Sequence, residues 1–236
     1  DAGTWIENTV CEKDDLLYWA QSYDQKIHLG DLMPICSIKF WEMEESMHKY
    51  KGRICFRGDN VKDQDGAVAV FQELSASPTS ITSANANMAY GCIPGHKSTV
   101  ADAIRAYIQS LLRSKHATWV MIPRELWPDD WHGIYQKPMC LLKKALYGHP
   151  ESGGHWEQHL EKSLNDLGGK PISNHPSSYF FSSLGLMLTV YVDDLLLSGP
   201  EGDDNHEKFW ASLRKTIDLE PEEKLDRFLG RAHVGL

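Results

Sequence analysis

Residues 189–199 read TVYVDDLLLSG, an apolar, β-branched run interrupted by two adjacent carboxylates, Asp193 and Asp194. The stretch is too short to cross a membrane, and Val190, Tyr191 and Val192 disfavour a helix. It predicts a strand, a tight turn and a second strand, with the aspartates at or beside the bend. An unpartnered carboxylate in an apolar setting is costly, and two side by side also repel each other. Two readings are open. Aspartate tolerates turn geometry, so the pair could merely close a hairpin. Alternatively, the turn projects from a buried sheet into a cleft where a divalent cation offsets the charge, and that reading requires a third carboxylate from elsewhere.

Around this stretch the composition is that of an ordinary globular protein. The chain has 236 residues, of which 42% are hydrophobic. That is enough for one large or two modest domains with a real core. There is no apolar run of about 18 residues, so no membrane partner is expected. The N-terminus, DAGTWIENTV, has neither the basic nor the apolar region of a signal peptide and starts as though cut from something longer. The cysteines, Cys11, Cys36, Cys55, Cys92 and Cys140, are scattered and form no CxxC. This argues against a disulfide framework or a zinc ribbon and fits a reduced, cytoplasmic setting.

A net charge of -9 argues against a nucleic-acid binder. The distribution softens that reading. HKYKGRICFRG (48–58) holds Lys49, Lys51, Arg53 and Arg57 with no acid, and between Asp102 and Glu125 the only charges are Arg105, Arg113, Lys115 and Arg124. Acids concentrate instead in residues 201–226.

Patterning predicts a helix from Trp5 to about Ala20, then two strands over 34–43 and 50–58 joined by a polar turn. Residues 59–97 are weakly periodic, with a helix expected only near 80–90. Ile104, Tyr107, Ile108, Leu111 and Leu112 recur at helical spacing directly behind Asp102, which predicts that Asp102 starts a helix; interaction with the helix dipole would alone explain an acid there. Residues 119–123 and 139–148 are apolar segments. Trp156, Leu160, Leu164 and Leu167 mark a helix closed by Gly168 and Gly169. Residues 179–181, the hairpin, and a helix carrying Phe209, Trp210, Leu213 and Ile217 follow. The expected class is α+β, one antiparallel sheet backed by helices.

Five stretches, in order along most of the chain, resemble the reverse transcriptase of copia-type LTR retrotransposons. YVDD is the most specific. The family's K-x-R-L-V-x-x-G strand is matched by Lys51, Arg53, Ile54, Cys55 and Gly58, and its D-V-x-x-A-F-L by Asp102, Ala106, Tyr107 and Ile108, with Ala103 in place of Val. Its L-Y-G-L-K-Q-x-P-x-x-W is matched by Leu146, Tyr147, Gly148 and Trp156, and its F-L-G by Phe228, Leu229 and Gly230. Residues 59–97 match poorly. The resemblance implies a right-hand polymerase without a thumb, with a fingers-like region over 1–97 and a palm over 98–236 from which 115–148 partly returns to the fingers.

That resemblance implies an RNA-directed DNA polymerase acting with two Mg²⁺ ions, for which Mn²⁺ could substitute. Phosphoryl transfer to a primer hydroxyl needs two divalent ions, and hard Mg²⁺ needs oxygen ligands that converge from separate elements. Asp102 and Asp193 would bridge the metals, Asp194 would support one, and the Ala103 carbonyl would contribute. Asp102 is then the third carboxylate. Tyr107 would lie under the sugar and exclude a ribose 2′-hydroxyl, or else simply pack in the core. Lys51 and Arg53, two apart on a strand, suit a clamp on triphosphate oxygens, or else protect a solvated edge strand. Gly148 and Glu151 would face the nucleotide, and Tyr191, Phe228, Leu229 and Gly230 the primer terminus. The implied partners are an RNA or DNA template with its primer, deoxynucleoside triphosphates, and the integrase and RNase H regions of a polyprotein, with virus-like particles as a setting.

One departure stands out. HPESGGHW (149–156) replaces the family's Lys-Gln and Pro-Arg, putting Glu151 where Gln would meet the nucleotide. A carboxylate there repels a triphosphate. Gly153 and Gly154 are expected to loosen the same loop. This favours a rival reading, a decayed, inactive copy that only folds or binds nucleic acid. A second rival, a two-metal phosphohydrolase, leaves Tyr107 and the Lys51/Arg53 strand unexplained. His155 and His159 sit at i, i+4, but without HExxH they read as ordinary surface histidines.

Overall fold

The computed structural model describes residues 3–72, 74 and 77–232. In chain order the elements are β1 (Trp5–Glu12), α1 (Lys13–Ser22), β2 (Ile27–Lys39), β3 (Lys49–Phe56), β4 (Lys62–Asp63), α2 (Ile81–Gly91), β5 (His96–Asp102), β6 (Ala117–Met121) and β7 (Pro138–Leu142). Then come α3 (Ser152–Asp166), β8 (Lys170–Pro171), β9 (Ser178–Phe181), β10 (Leu186–Tyr191), β11 (Asp194–Pro200), α4 (Asn205–Leu213), β12 (Glu223–Lys224), β13 (Arg227–Phe228) and β14 (Arg231–Ala232). The class is α+β. There are two large sheets where patterning predicts one, and the chain falls into two compact units. One comprises residues 1–74 and 110–155, the other 75–109 and 156–236, so α2 groups with the second unit and not with the residues before it.

The first unit is built on a sheet of order β1-β7-β6-β2-β3, with β4 also pairing β2. The β2–β6 pair is parallel and the others antiparallel. The helix predicted from Trp5 begins only at Lys13, and residues 5–12 are a strand. Tertiary contacts override the local pattern there. Thr9 Oγ1 accepts the Leu141 N–H at 3.0 Å, and the Glu12 carboxylate accepts the Gln136 and Lys137 amides at 2.9 and 2.8 Å. Asp14 and Asp15 then favour the N-terminus of α1. Leu16 and Ala20 of α1 pack on Ile27, Leu29 and Met139. The expected ribbon exists, with β2 and β3 paired from Leu32↔Phe56 to Lys39↔Lys49; β2 starts and ends earlier than the expected 34–43, and β3 stops two residues short of the expected end.

The second unit holds an antiparallel sheet of order β12-β5-β11-β10-β9-β8. Successive strand side chains point to opposite faces, so a run such as Leu195-Leu196-Leu197 is stable only in a sheet covered on both sides. Here it is. Leu195 and Leu197 join Trp156, Leu160 and Leu164 of α3 and Phe209, Trp210 and Leu213 of α4, while Leu196 joins Ala84 of α2 and Phe228. Each such leucine contributes about 1.5–3 kcal/mol of burial. Ser80 caps α2 by accepting the Ser83 N–H at 3.0 Å, and Asn87 Nδ2 ties the helix to Thr189 Oγ1 and the Leu196 carbonyl, both at 2.9 Å.

Candidate active site

The three aspartates come together in the second unit. Asp102 is the last residue of β5 and Asp194 the first of β11, and the two are register partners. Directly opposed residues in an antiparallel pair hold their Cβ atoms roughly 4.5–5.5 Å apart. The helix predicted to start at Asp102 does not form. Asp102 is held in the sheet, its carbonyl accepting the Glu220 N–H at 2.9 Å, and Arg105 takes a φ of 53° that no continuing helix allows. A short 3₁₀ turn, Ala106–Gln109, follows in its place.

The predicted hairpin is present, with Tyr191 paired to Asp194 and a two-residue turn of Val192 and Asp193. Of those two only Val192 has a positive φ, 58°. Such hairpins usually take glycine at that position, and a β-branched residue there carries strain. Both turn carbonyls are held from outside. The Trp156 indole Nε1–H donates to the Val192 carbonyl at 2.7 Å, and the Ala103 N–H donates to the Asp193 carbonyl at 2.7 Å. Asp102 and Asp193 are exposed and Asp194 is half-buried, so the site opens to solvent and does not bury the charges the apolar flanks suggest.

Burial and like charge together set the electrostatics. Burial, then the neighbouring Asp102 and Asp193 carboxylates, and a hydrogen bond to Asp102 push the Asp194 carboxyl up to about 6. The ion pairs among the described residues involve other acids. Hard divalent cations take carboxylate ligands, and Asp102 and Asp194, facing each other across the strand pair, are the residues that could hold one. As the side chains stand, no three His, Cys, Asp or Glu groups among the described residues close on a common metal position. The cation would be held by the facing pair, with Asp193 beside it on the turn.

Tyr107 lies in the 3₁₀ turn, its ring packed against the core. Burial, then the Asp193 charge, pushes its hydroxyl pKa up. Gln109, which nothing in the sequence singles out, fixes this turn. Its Nε2 donates to the Ile104 and Asp218 carbonyls at 2.7 and 3.0 Å, and its Oε1 accepts the Asp218 N–H at 2.8 Å. Tyr191 is 39% exposed beside the turn. Leu229 and Gly230, with φ of 48° and 74°, turn the β13–β14 hairpin, while Phe228 is a core residue and its ring is not available to a primer.

The remaining expected residues belong to the first unit. Lys51 and Arg53 stand on β3 opposite Ser37 and Ile35, Lys51 half-buried and Arg53 exposed. Gly148 has a φ of 89°, and a Cβ there would fall on the Phe56 carbonyl, so backbone approach accounts for this glycine. Glu151 is corrected outright. It is 1% exposed, accepts the Gln72 N–H at 3.0 Å and the Ser114 hydroxyl, and does not face solvent. The segment containing Gly153 and Gly154 is the first turn of α3 and not a loop. At Gly154 a Cβ would lie 2.7 Å from that of Leu74.

His155 is buried and not a surface residue, and His159 of the second unit lies against Trp156 with ring centroids 6.1 Å apart. His155 Nε2 is 3.8 Å from Glu151, but it accepts the Arg113 N–H at 3.3 Å, and burial pushes its pKa down. It is therefore a neutral neighbour of Glu151. No helix among the described residues is long and apolar enough to cross a membrane. No family model matches the chain.

Proposed function

We propose that the chain carries the fingers and palm of an RNA-directed DNA polymerase similar to those of copia-type retrotransposons, with its catalytic carboxylates in the second unit. The observation that carries the reading is the cross-strand facing of Asp102 and Asp194, with Asp193 on the strained turn that leads into β11. In the reaction the primer 3′-oxygen bonds to the α-phosphorus of a deoxynucleoside triphosphate and pyrophosphate leaves. Two Mg²⁺ ions, when bound, would acidify the hydroxyl and neutralise the triphosphate charge. Asp102 and Asp194 hold the carboxylate oxygens at the end of a rigid sheet, and Asp193 presents its own from the turn. Asp194 must give up its proton before it can serve as a ligand, so cation binding competes with its protonation. Tyr107 acts as the sugar gate in this reading.

The inactive-copy reading rested on Glu151. Its carboxylate is occupied by the Gln72 amide and the Ser114 hydroxyl, so that feature no longer favours it. The deciding assay is extension of a labelled primer on RNA and DNA templates with Mg²⁺ or Mn²⁺, with release of inorganic phosphate followed in parallel. Template-directed extension lost in Asp193→Asn supports the polymerase. Phosphate release without extension would transfer the same carboxylates to a phosphohydrolase.

A further inference from the structure

We infer that Trp156 is a positioning residue that holds the carboxylate turn in a conformation it would otherwise leave, through the hydrogen bond from its indole N–H to the Val192 carbonyl. The inference rests on the reading of that turn as the catalytic one. Val192 is β-branched and sits at a φ of 58°, a region that L side chains with a branched Cβ avoid. A two-residue turn with such a residue first would relax unless its surroundings over-determined it. They do so by two contacts of different origin. One is the Ala103 amide, from the residue that follows Asp102, on the Asp193 carbonyl at 2.7 Å. The other is the indole on the Val192 carbonyl at 2.7 Å, from α3.

Trp156 is 2% exposed and packed among Leu160, Val190 and Leu195, so its ring cannot swing aside. A buried indole N–H needs an acceptor, and the only way to satisfy this one in place is to keep the Val192 carbonyl pointing at it. The strained φ and the indole thus hold each other. A Phe in the same place would fill the core and leave the carbonyl without its donor. Trp156 therefore sets where the Asp193 carboxylate stands while touching neither substrate nor ion.

The test uses Trp156→Phe, Val192→Gly and the double variant of the full chain, read by amide hydrogen exchange without metal and by primer extension with Mg²⁺. In Trp156→Phe the turn relaxes, the Ala103 amide loses its acceptor and exchanges at least about tenfold faster, and the amides of Leu195 to Leu197 keep their protection. Extension falls about 10–100-fold in kcat with little change in primer KM, as expected when only the placement of a reacting group is lost. Glycine adopts the turn's φ without strain, so the double variant regains most of both losses. A merely structural tryptophan would lower protection across the whole strand pair, and Val192→Gly would rescue nothing; either result overturns the proposal. If Trp156→Phe fails to fold, Val192→Gly alone decides. Relief of strain raises its melting temperature, and a lowered one overturns the proposal. Selective Ala103 exchange in a chain that never extends primers would leave the clamp standing and sink the polymerase reading. Normal extension with Ala103 unaffected would do the reverse.

Discussion

Glu151 in the first unit is a buried acid and Asp194 in the second a half-buried one, and their surroundings treat them in opposite ways. Glu151 receives a backbone amide from Gln72 and a hydroxyl from Ser114, with neutral His155 alongside. Asp194 faces Asp102 across a strand pair and has Asp193 as its chain neighbour. Donors make a buried carboxylate a structural member. Opposed carboxylates repel each other, and a proton or a cation relieves the repulsion. Burial alone does not distinguish the two acids; what fills the hydrogen-bonding capacity of each does.

The sharpest way to break this comparison is activity. Asp102→Asn and Asp193→Asn are each expected to lower Mg²⁺-dependent primer extension by roughly 10³-fold or more, about 4 kcal/mol in the barrier. Glu151→Gln is expected to stay within a few fold of the parent, with an unchanged KM for nucleotide at low and high salt. A salt-dependent fall in that KM would mean that Glu151 reaches the triphosphate after all and would erase the distinction.

Stability should reverse the ranking. Glu151→Leu leaves the Gln72 amide and the Ser114 hydroxyl without their acceptor, at a cost of about 2–4 kcal/mol, which urea unfolding at pH 7 would show. A loss below about 1 kcal/mol would mean that water reaches both donors. The neighbouring His149 extends the same logic to pH. Its Nδ1 accepts the Glu151 N–H at 3.2 Å, so the proton sits on Nε2, facing Thr118 Oγ1 at 3.2 Å. Burial, with His28 and His155 nearby, pushes its pKa down to about 3. The unfolded chain then binds a proton that the folded one refuses. The stability from neutral His149 is fully present above about pH 6.5 and lost as pH falls towards 3, with a slope approaching 1.4 kcal/mol per pH unit. His149→Gln should flatten that slope whatever it costs at neutral pH.

Much of this architecture is legible in the sequence where local pattern and tertiary context agree. The hairpin at 191–194, the ribbon of β2 and β3, α2, α3 and α4 follow from β-branched runs, caps and helical spacing. The failures fall where long-range contacts decide. Residues 5–12 pair with β7 and not into a helix, and Asp102 is claimed by β11 and not by the apolar spacing behind it. The burial of Glu151 has no local signal because its donors, Gln72 and Ser114, lie 79 and 37 residues away. Of the site, the three acids were readable, but the strain at Val192 and the staple made by Gln109 had no signal. A φ angle and an amide's partners are properties of the folded backbone.

The smallest effect is the most diagnostic of the second unit, because its sign opposes that of the first. The Asp194 carboxyl is raised to about 6 in the folded protein from an ordinary 3.8. Between those values the folded chain holds a proton that the unfolded chain has released. Stability from this residue is therefore full below about pH 4 and declines as pH rises through 6, where the ionised carboxylate must stand beside Asp102 and Asp193. Asp194→Asn removes the penalty and should stabilise the metal-free protein at pH 7 by about 1–2 kcal/mol, after discounting for solvent screening of a half-exposed group. At pH 4 the gain should vanish, since the parent is then protonated. Added Mg²⁺ should stabilise the parent and not the variant, because an ion held by the facing pair supplies the missing charge. The measurement is a melt of both proteins at pH 4 and 7 with and without Mg²⁺. A variant less stable than the parent at pH 7 would show that Asp194 is already paired within the chain, like Glu151, and needs no cation.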